Sequence, residues 1–348
     1  MKVLVCSDKT SLIAKRGITD PEFNFFNEKN IAKIESKFDE VIWNETGAML
    51  TEEALIEKIK DVDAVITCWG SNKFTKEILD HAPNLKIIAH MAGSVANIVS
   101  EDVYDRGIKV IGANDVQFSE SVAEGALAYM MMSLRRLEWV TKVTKYQRED
   151  GWRKVKEIPK KGIMDRTIGL VSFGAIAEHL AKMLQPFHCK IKVYSRNISD
   201  EKLKQYNMER ASLEEIFSTC DIISIHTAWN KYTENMISKE LLQMIKPGAL
   251  LVNTARGRVI DEPAMIEELR TGRFNAVLDV FWKEPHPYEV GGLYDMDNVI
   301  IIPHEGGPTP DRYPWIADSI IDEVYDYLKE GKPLKSEILK EKALSMTI

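Results

Sequence analysis

The sequence predicts an α/β protein built from two doubly wound parallel sheets, on three observations. Short apolar runs alternate with helical periods from residue 1 to about 114, and the same alternation restarts at Thr167. Between the two lies one long helical stretch, residues 119–143. At 348 residues the chain is too long for one ordinary domain and suits two. Strands alternating with helices are the signature of parallel sheets covered on both faces.

In chain order, the strands of the first half are KVLVC, VIWN, AVITCW and KIIAHM, with TEEALIEKIK and FTKEILDHA as helices among them. SESVAEGALAYMMMSLRRLEWVTKV spaces Ala, Met and Leu to fill a broad buried stripe, so one long helix joining two lobes is expected. The polar stretch QREDGWRKVKEIPKKG is short enough for a loop or an interface arm. From Thr167 the runs TIGLVSF, KIKVYS, DIISIH, ALLVNT, AVLDVF and NVIIIP give six strands linked mostly by helices. Such a series describes a Rossmann-like nucleotide-binding unit. The tail PDRYPWIADSIIDEVYDYLKEG sets Ile316, Ile320, Val324 and Leu328 at helical spacing and is expected to pack back on the first lobe.

The bulk numbers narrow the function. With 46 basic and 53 acidic side chains the net charge is -7, which argues against a polyanion binder, so no nucleic-acid partner is expected. The apolar runs are strand-sized, and MKVLVC is too brief for a signal-peptide core, so the reading is a cytoplasmic protein without a membrane span. Cys6, Cys68, Cys189 and Cys220 are scattered, with neither a CxxC pair nor a nearby His at ligand spacing. Buried free thiols are expected, and no metal site.

TIGLVSFGAIAEHLAKML reads as a strand, a glycine-bearing turn and a helix, the arrangement that receives a dinucleotide pyrophosphate. Against the GxGxxG fingerprint the chain offers Ser172, Gly174 and Ala177; only the middle glycine, the one that lets backbone approach the pyrophosphate, is kept. Gly174, Ala175 and Ile176 are therefore the expected pyrophosphate contacts. The next strand ends in Ser195, Arg196 and Asn197, where NAD binders carry an acid for the ribose 2′-hydroxyl. Ser and Arg donate to a 2′-phosphate instead, so NAD(P) with a leaning to NADP is expected, the plainer alternative being that Arg196 covers the adenine face.

Three later segments each end an apolar run on a chemically apt residue: Arg256 in LLVNTARG, Glu284 in AVLDVFWKEP and His304 in VIIIPHEGG. Taken singly, each has a structural alternative as a turn, solvated or satisfied core residue. Taken in order, each at a strand's carboxyl end, they supply what reduction of a 2-keto acid needs. A guanidinium fork holds the carboxylate and leans on the carbonyl, an imidazole delivers a proton, and a carboxylate on the far ring nitrogen favours the imidazolium and orients the ring.

With these residues in place, the chain from about Ile87 to Lys332 resembles the D-isomer-specific 2-hydroxyacid dehydrogenase family. The segments that carry the likeness are AHMAGSVANIV, RGIKVIGANDVQFSESVAEGALA, TIGLVSFGAIA, the long run from SLEEIF to VNTARG, AVLDVFWKEP, NVIIIPHEGGPT and GKPL. The resemblance implies that Arg256, Glu284 and His304 are catalytic. It further implies that Asp279 holds the nicotinamide carboxamide, that Thr227, Ala255, His304 and Gly306 line the cofactor, and that Gly93 and Ser94 offer backbone N–H groups to the substrate carboxylate. It implies a split, flavodoxin-like substrate-binding domain, residues 1–114 plus 308–348, into which a dinucleotide-binding domain, residues 115–307, is inserted. A hinge between the two and a homodimer formed largely through the nucleotide domain are implied as well.

The chain departs from the family at named positions. The substrate loop, usually close to GxGxDN, reads AGSVAN, with Ala92, Ser94 and Ala96 replacing two glycines and an acid. His226 is followed by Thr227, Ala228 and Trp229 where HxP is usual, and Glu305 follows His304 where an apolar residue is usual. Glu305 either acts on the imidazole or on a cationic part of the substrate, or it faces solvent or caps a helix; Tyr313 and Trp315 either shape a bulky substrate or pack the last helix. The leading expectation is an oxidoreductase that interconverts a small 2-keto acid and a D-2-hydroxy acid. The alternative is an NAD(P)-sensing, corepressor-like binding protein with little turnover.

Overall fold

Strands whose residues are apolar without alternation leave neither face for water, and such strands pair in parallel under helices on both sides. A computed structural model describes residues 1–9, 24–113, 116–288 and 292–346. Every strand in it runs parallel to its neighbours. The chain forms two units, Met1–Ser119 with Pro308–Ile348, and Glu120–Gly307. The boundary expected at residues 114 and 115 lies outside the described residues.

The first unit contains β1 (Lys2–Asp8), α1 (Glu28–Lys37), β2 (Glu40–Asn44), α2 (Glu52–Lys58), β3 (Ala64–Thr67), α3 (Lys76–Asp80), β4 (Ile87–His90), α4 (Glu101–Asp105) and β5 (Lys109–Gly112). Its sheet has the order β2-β1-β3-β4-β5, the flavodoxin arrangement. The helices begin where short polar side chains can cap them: Asn27 on α1, Thr51 on α2 and Thr75 on α3 each accept from a backbone N–H two or three residues into the helix. Strand β5 is an addition to the four strands expected from sequence. Its four residues, KVIG, are too few to declare a period by themselves.

α5 (Val116–Leu134) and α6 (Leu137–Glu157) replace the single helix expected over residues 119–143. The break falls at Arg136, whose φ of 52° is left-handed and cannot continue an α-helix. The polar stretch expected as a loop or an interface arm is largely helical, because α6 runs on to Glu157 past one non-helical residue, Arg148. Gly151 then lies so near Val143 that a Cβ on it would sit 2.4 Å from the Val143 carbonyl oxygen, so the end of α6 folds back on its start.

The second unit continues with β6 (Thr167–Val171), α7 (Ala175–Leu184), β7 (Lys190–Tyr194), α8 (Asp200–Gln205), β8 (Met208–Arg210), α9 (Leu213–Thr219), β9 (Ile222–Ile225), α10 (Lys239–Met244), β10 (Leu250–Asn253), α11 (Glu262–Arg270), β11 (Asn275–Leu278) and β12 (Val299–Ile301). The sheet order is β12-β11-β10-β9-β6-β7-β8, so the chain reverses direction across the sheet between β6 and β9. That is the topological switch point, beside which ligands bind at the carboxyl ends of the strands. On α7, Ala177, Leu180, Ala181 and Leu184 form one fully buried stripe, each leucine contributing roughly 1.5–3 kcal/mol relative to exposure. The six expected strands are present, and β8 is a seventh.

α12 (Tyr313–Glu330) and α13 (Lys340–Ser345) belong to the first unit. Ile316, Ile320 and Val324 enter the core with Val3, Val5, Ile66 and Ala89 of the sheet, as the spacing predicts, while Leu328 is only partly buried. Tyr313 is 1% exposed and stacks on Phe25 at 4.6 Å, so it is a packing residue, whereas Trp315 is exposed. The four cysteines are free thiols; Cys6, Cys68 and Cys220 are buried, and Cys189 is half-buried.

Candidate active site

The chemistry-bearing residues of the second unit lie at the carboxyl ends of β6, β7, β9, β10, β11 and β12, along one edge of one sheet. After β6 the chain turns through Ser172, whose φ of 79° is the left-handed conformation for which glycine is the usual choice. Its N–H donates to the Tyr194 carbonyl at 2.7 Å, which ties the turn to β7. Gly174 caps α7 without a side-chain partner, and a Cβ on it would meet no atom within 4 Å. The first amides of α7 thus open onto free space at the positive end of the helix, a turn that fits a dinucleotide pyrophosphate. Gly174 and Ala175 are exposed and Ile176 is half-buried.

At the end of β7, Ser195 is half-buried, and Arg196 and Asn197 are exposed. After β9, His226 meets Ser224 Oγ at 2.9 Å, and burial pushes its imidazole down to about 4. Thr227 is buried, with its hydroxyl donating to the Val171 carbonyl at 3.2 Å. After β10, the buried side chain of Asn253 organises the Arg256 turn: Oδ1 accepts from Ala255 N–H at 3.1 Å and Nδ2 donates to the Arg256 carbonyl at 3.1 Å. Arg256 donates from Nη1 to the Ala255 carbonyl at 2.7 Å. Burial lowers the Arg256 pKa, which the nearby Glu284 charge opposes.

Gly257 brings the Arg256 turn against the loop after β11; a Cβ there would fall 2.1 Å from the Phe281 carbonyl carbon. On that loop Glu284 uses both oxygens. Oε1 accepts from Phe281 N–H at 3.0 Å and Oε2 meets His304 Nδ1 at 2.6 Å. Burial would raise the Glu284 carboxyl, but the His304 and Phe281 hydrogen bonds and the charges of His304 and Arg256 outweigh it and hold it below the usual carboxylate range. An ionised Glu284 only accepts, so Nδ1 carries the proton of this pair.

His304 itself has a φ of 56°, and its N–H donates to the carbonyls of Asp279 and Ile302. Asp279, 1% exposed, accepts from Glu305 N–H at 2.7 Å and from Gly306 N–H at 3.0 Å, and so fixes the chain just beyond His304. Burial raises the Asp279 carboxyl despite those amides. Gly306 is needed there, since a Cβ would lie 2.6 Å from Asp279 Oδ2. Glu305 is exposed, and together with Asp279 it adds to the burial that pushes the Tyr129 phenol up to about 12.

The structure therefore brings Arg256, Glu284, His304, Asp279 and Gly306 together within the second unit, with Ala255 and Thr227 on adjoining strand ends. Gly93 and Ser94 belong to the first unit, half-buried in the bend after β4, where Ser94 Oγ accepts from Ala96 N–H at 3.4 Å. Asn253 and Gly257 build the Arg256 turn, and sequence reading did not single them out for it; their signal is a polar and a small residue bracketing that arginine. Among the described residues, no group of three or more His, Cys, Asp or Glu side chains is arranged to hold a metal, and no helix is long and apolar enough to cross a membrane.

A parallel sheet with an open helix-capping turn at its switch point and a carboxylate-bound imidazole on the same edge defines a nicotinamide-dependent oxidoreductase acting on a CH–OH group. Comparison with known proteins agrees. The model of the D-isomer specific 2-hydroxyacid dehydrogenase NAD binding domain matches residues 127–306. A glyoxylate reductase of Pyrococcus furiosus is 35% identical over 289 residues, 81% of this chain and 84% of that one. A hydroxypyruvate reductase of Thermotoga maritima is 32% identical over 285 residues, 81% and 90% of the two chains. In fold, the apo D-mandelate dehydrogenase of Rhodotorula graminis superposes with a TM-score of 0.82 at 22% identity, covering 97% of each chain. The chain belongs to the D-isomer specific 2-hydroxyacid dehydrogenases.

Proposed function

We propose that this protein reduces a small 2-keto acid to the D-2-hydroxy acid with NAD(P)H, with NADPH preferred. The observation that carries the reading is the 2.6 Å contact between His304 Nδ1 and Glu284 Oε2, electrostatically coupled to Arg256. A bound nicotinamide supplies the hydride that C2 of the keto acid receives. Arg256 binds the carboxylate and polarises the carbonyl, and its partial burial strengthens both interactions. His304, held on Nδ1 by Glu284, delivers a proton from Nε2 to the carbonyl oxygen, and the ionised carboxylate stabilises the imidazolium before transfer. In the oxidative direction the same nitrogen takes the proton back.

For the cofactor, the backbone of Gly174, Ala175 and Ile176 holds the pyrophosphate, and Thr227, Ala255, Asp279, His304 and Gly306 line the nicotinamide end. Ser195, Arg196 and Asn197 receive the adenosine ribose; Arg196 has no ion-pair or hydrogen-bond partner among the described residues, which leaves its guanidinium for a 2′-phosphate. Gly93 and Ser94 give backbone N–H groups to the substrate carboxylate. Residues 1–114 with 308–348 form the substrate-binding domain, residues 115–307 bind the dinucleotide, and the protein works as a cytoplasmic homodimer.

Glyoxylate and hydroxypyruvate lead the candidate substrates, since relatives covering four fifths of the chain are reductases of those names. Following nicotinamide absorbance with glyoxylate, hydroxypyruvate, pyruvate, phenylpyruvate and 2-ketoisocaproate, each with NADH and NADPH, tests the reading. Consumption with at least one acid, faster with NADPH, is the expected result. Tight cofactor binding without consumption would instead favour a corepressor-like sensor, and a clear advantage for NADH would end the cofactor preference alone.

A further inference from the structure

Arg256 and Glu284 sit on different loops, and residues two positions away from each are joined to one another. Arg258, two residues after Arg256, lies with its guanidinium carbon 5.5 Å from the Trp282 ring and 5.4 Å from the Trp229 ring. Both distances are within the range of cation–π attraction. Trp282, two residues before Glu284, is fixed through its polar atoms as well. Its backbone N–H donates to Glu262 Oε2 at 2.8 Å and its indole Nε1–H donates to the Ile260 carbonyl at 2.8 Å. On the other side of Glu284, His286 is 4% exposed and packs on the Phe281 ring at 4.8 Å. A carboxylate that is 36% exposed is thus flanked by two anchored residues.

We propose that Arg258 and Trp282 form a positioning clamp that holds Arg256 and Glu284 in one register for the reaction. The clamp reaches a third loop, since Trp229 follows His226 and Thr227 at the end of β9, and Asn235 N–H donates to the Arg258 carbonyl at 2.9 Å. It acts through Arg256 and Glu284 and does not itself touch the reacting atoms. In the direction of Glu284 its consequence is electrostatic: the carboxylate stays on His304 Nδ1 only while the 281–286 loop keeps its shape. Among the described residues of this unit, Glu284 hydrogen-bonds that imidazole, Asp279 feels its charge, Arg256 acts on Glu284, and the exposed Glu305 is its chain neighbour.

The inference rests on the functional reading above, and the experiment separates the two. Arg258→Met removes the cation from a side chain that is 40% exposed, so folding is retained; Arg258→Lys keeps charge and loses the planar stack; Trp282→Phe keeps a ring and loses the bond to Ile260. Glyoxylate turnover with NADPH, cofactor binding, thermal unfolding and the NMR resonance of the His304 Nδ1–H proton are measured on each. Displacement of reacting groups by a fraction of an ångström to 1 Å lowers rates by roughly 10- to 100-fold, so kcat/KM of Arg258→Met falls by about that factor with cofactor affinity unchanged. Arg258→Lys recovers part of the loss, and the His304 Nδ1–H proton resonance moves upfield in Arg258→Met and Trp282→Phe as its hydrogen bond to Glu284 weakens. Unchanged kcat/KM and an unchanged His304 Nδ1–H resonance in both variants, with or without a lower unfolding temperature, would overturn the clamp. If the unmodified enzyme turns over no keto acid, the functional reading fails, and the His304 Nδ1–H resonance still decides whether the clamp holds Glu284.

Discussion

Gly257→Ala tests how the Arg256 turn is built. The added Cβ would lie 2.1 Å from the Phe281 carbonyl carbon and 2.2 Å from its oxygen. Carbon atoms in ordinary contact are about 3.5 Å apart, so the two loops must separate by more than about 1 Å. Both sides of the clash are backbone, and no side chain can swing away to relieve it. The displacement reaches Arg256 directly, as its neighbour, and reaches Glu284 because Phe281 N–H is the donor to Glu284 Oε1. Overpacking of this kind costs about 1–3 kcal/mol, and in a unit of this size each kcal/mol corresponds to about 2–4 °C in Tm. A shift near 1 Å at the reacting groups costs roughly 100-fold in rate. Calorimetry and kcat/KM for glyoxylate measure the two effects. Wild-type Tm together with wild-type kcat/KM would refute the reasoning.

Three other outcomes are expected. Ser172→Gly relieves the left-handed strain at φ 79° against a smaller chain-entropy loss, raising stability by about 0.5–1 kcal/mol with cofactor affinity retained; an unchanged or lower Tm would contradict this. His90, 3% exposed and held by burial at about 4, stabilises the fold fully above its unfolded value near 6.5, and about 3 kcal/mol is lost as pH falls from there toward 4. In urea unfolding at pH 7 and pH 4.5, His90→Gln narrows the gap between the two conditions; an undiminished gap assigns the acid sensitivity elsewhere. Glu284→Gln lowers kcat by roughly 100-fold and moves the alkaline limb of the reduction profile to lower pH, since an amide no longer favours the imidazolium. An unshifted limb would remove Glu284 from that role.

The parts of the molecule legible in its sequence were those whose physics is local. TIGLV, IISI and LLVN lie in the middle of a parallel sheet and are mostly apolar on both faces, so each declares itself as a strand. β8 does not, because its sequence is MER and two of its three residues face solvent. The helix from Glu149 to Glu157 was hidden for a related reason: it offers little apolar stripe, and its buried residue, Gly151, is by propensity a helix breaker. Arg256, Glu284 and His304 stood out because a charged or titratable group ends an apolar run. Glu262 and Trp282 act through backbone atoms that are distant in sequence, and their role emerges only when those loops are set side by side.

Every ladder of the seven-stranded sheet, with Arg256, Glu284 and His304 beyond its strand ends, is drawn from the uninterrupted stretch Glu120–Gly307. That sheet, with the loops bearing these three residues, is therefore heritable as a single cassette. Recombination that exchanges the flanking gene segments between relatives leaves every strand pairing of that sheet within one parent. Chimeras joined near residues 119 and 308 are the natural way to ask whether the flanking segments alter acid preference, with residues 120–307 held constant.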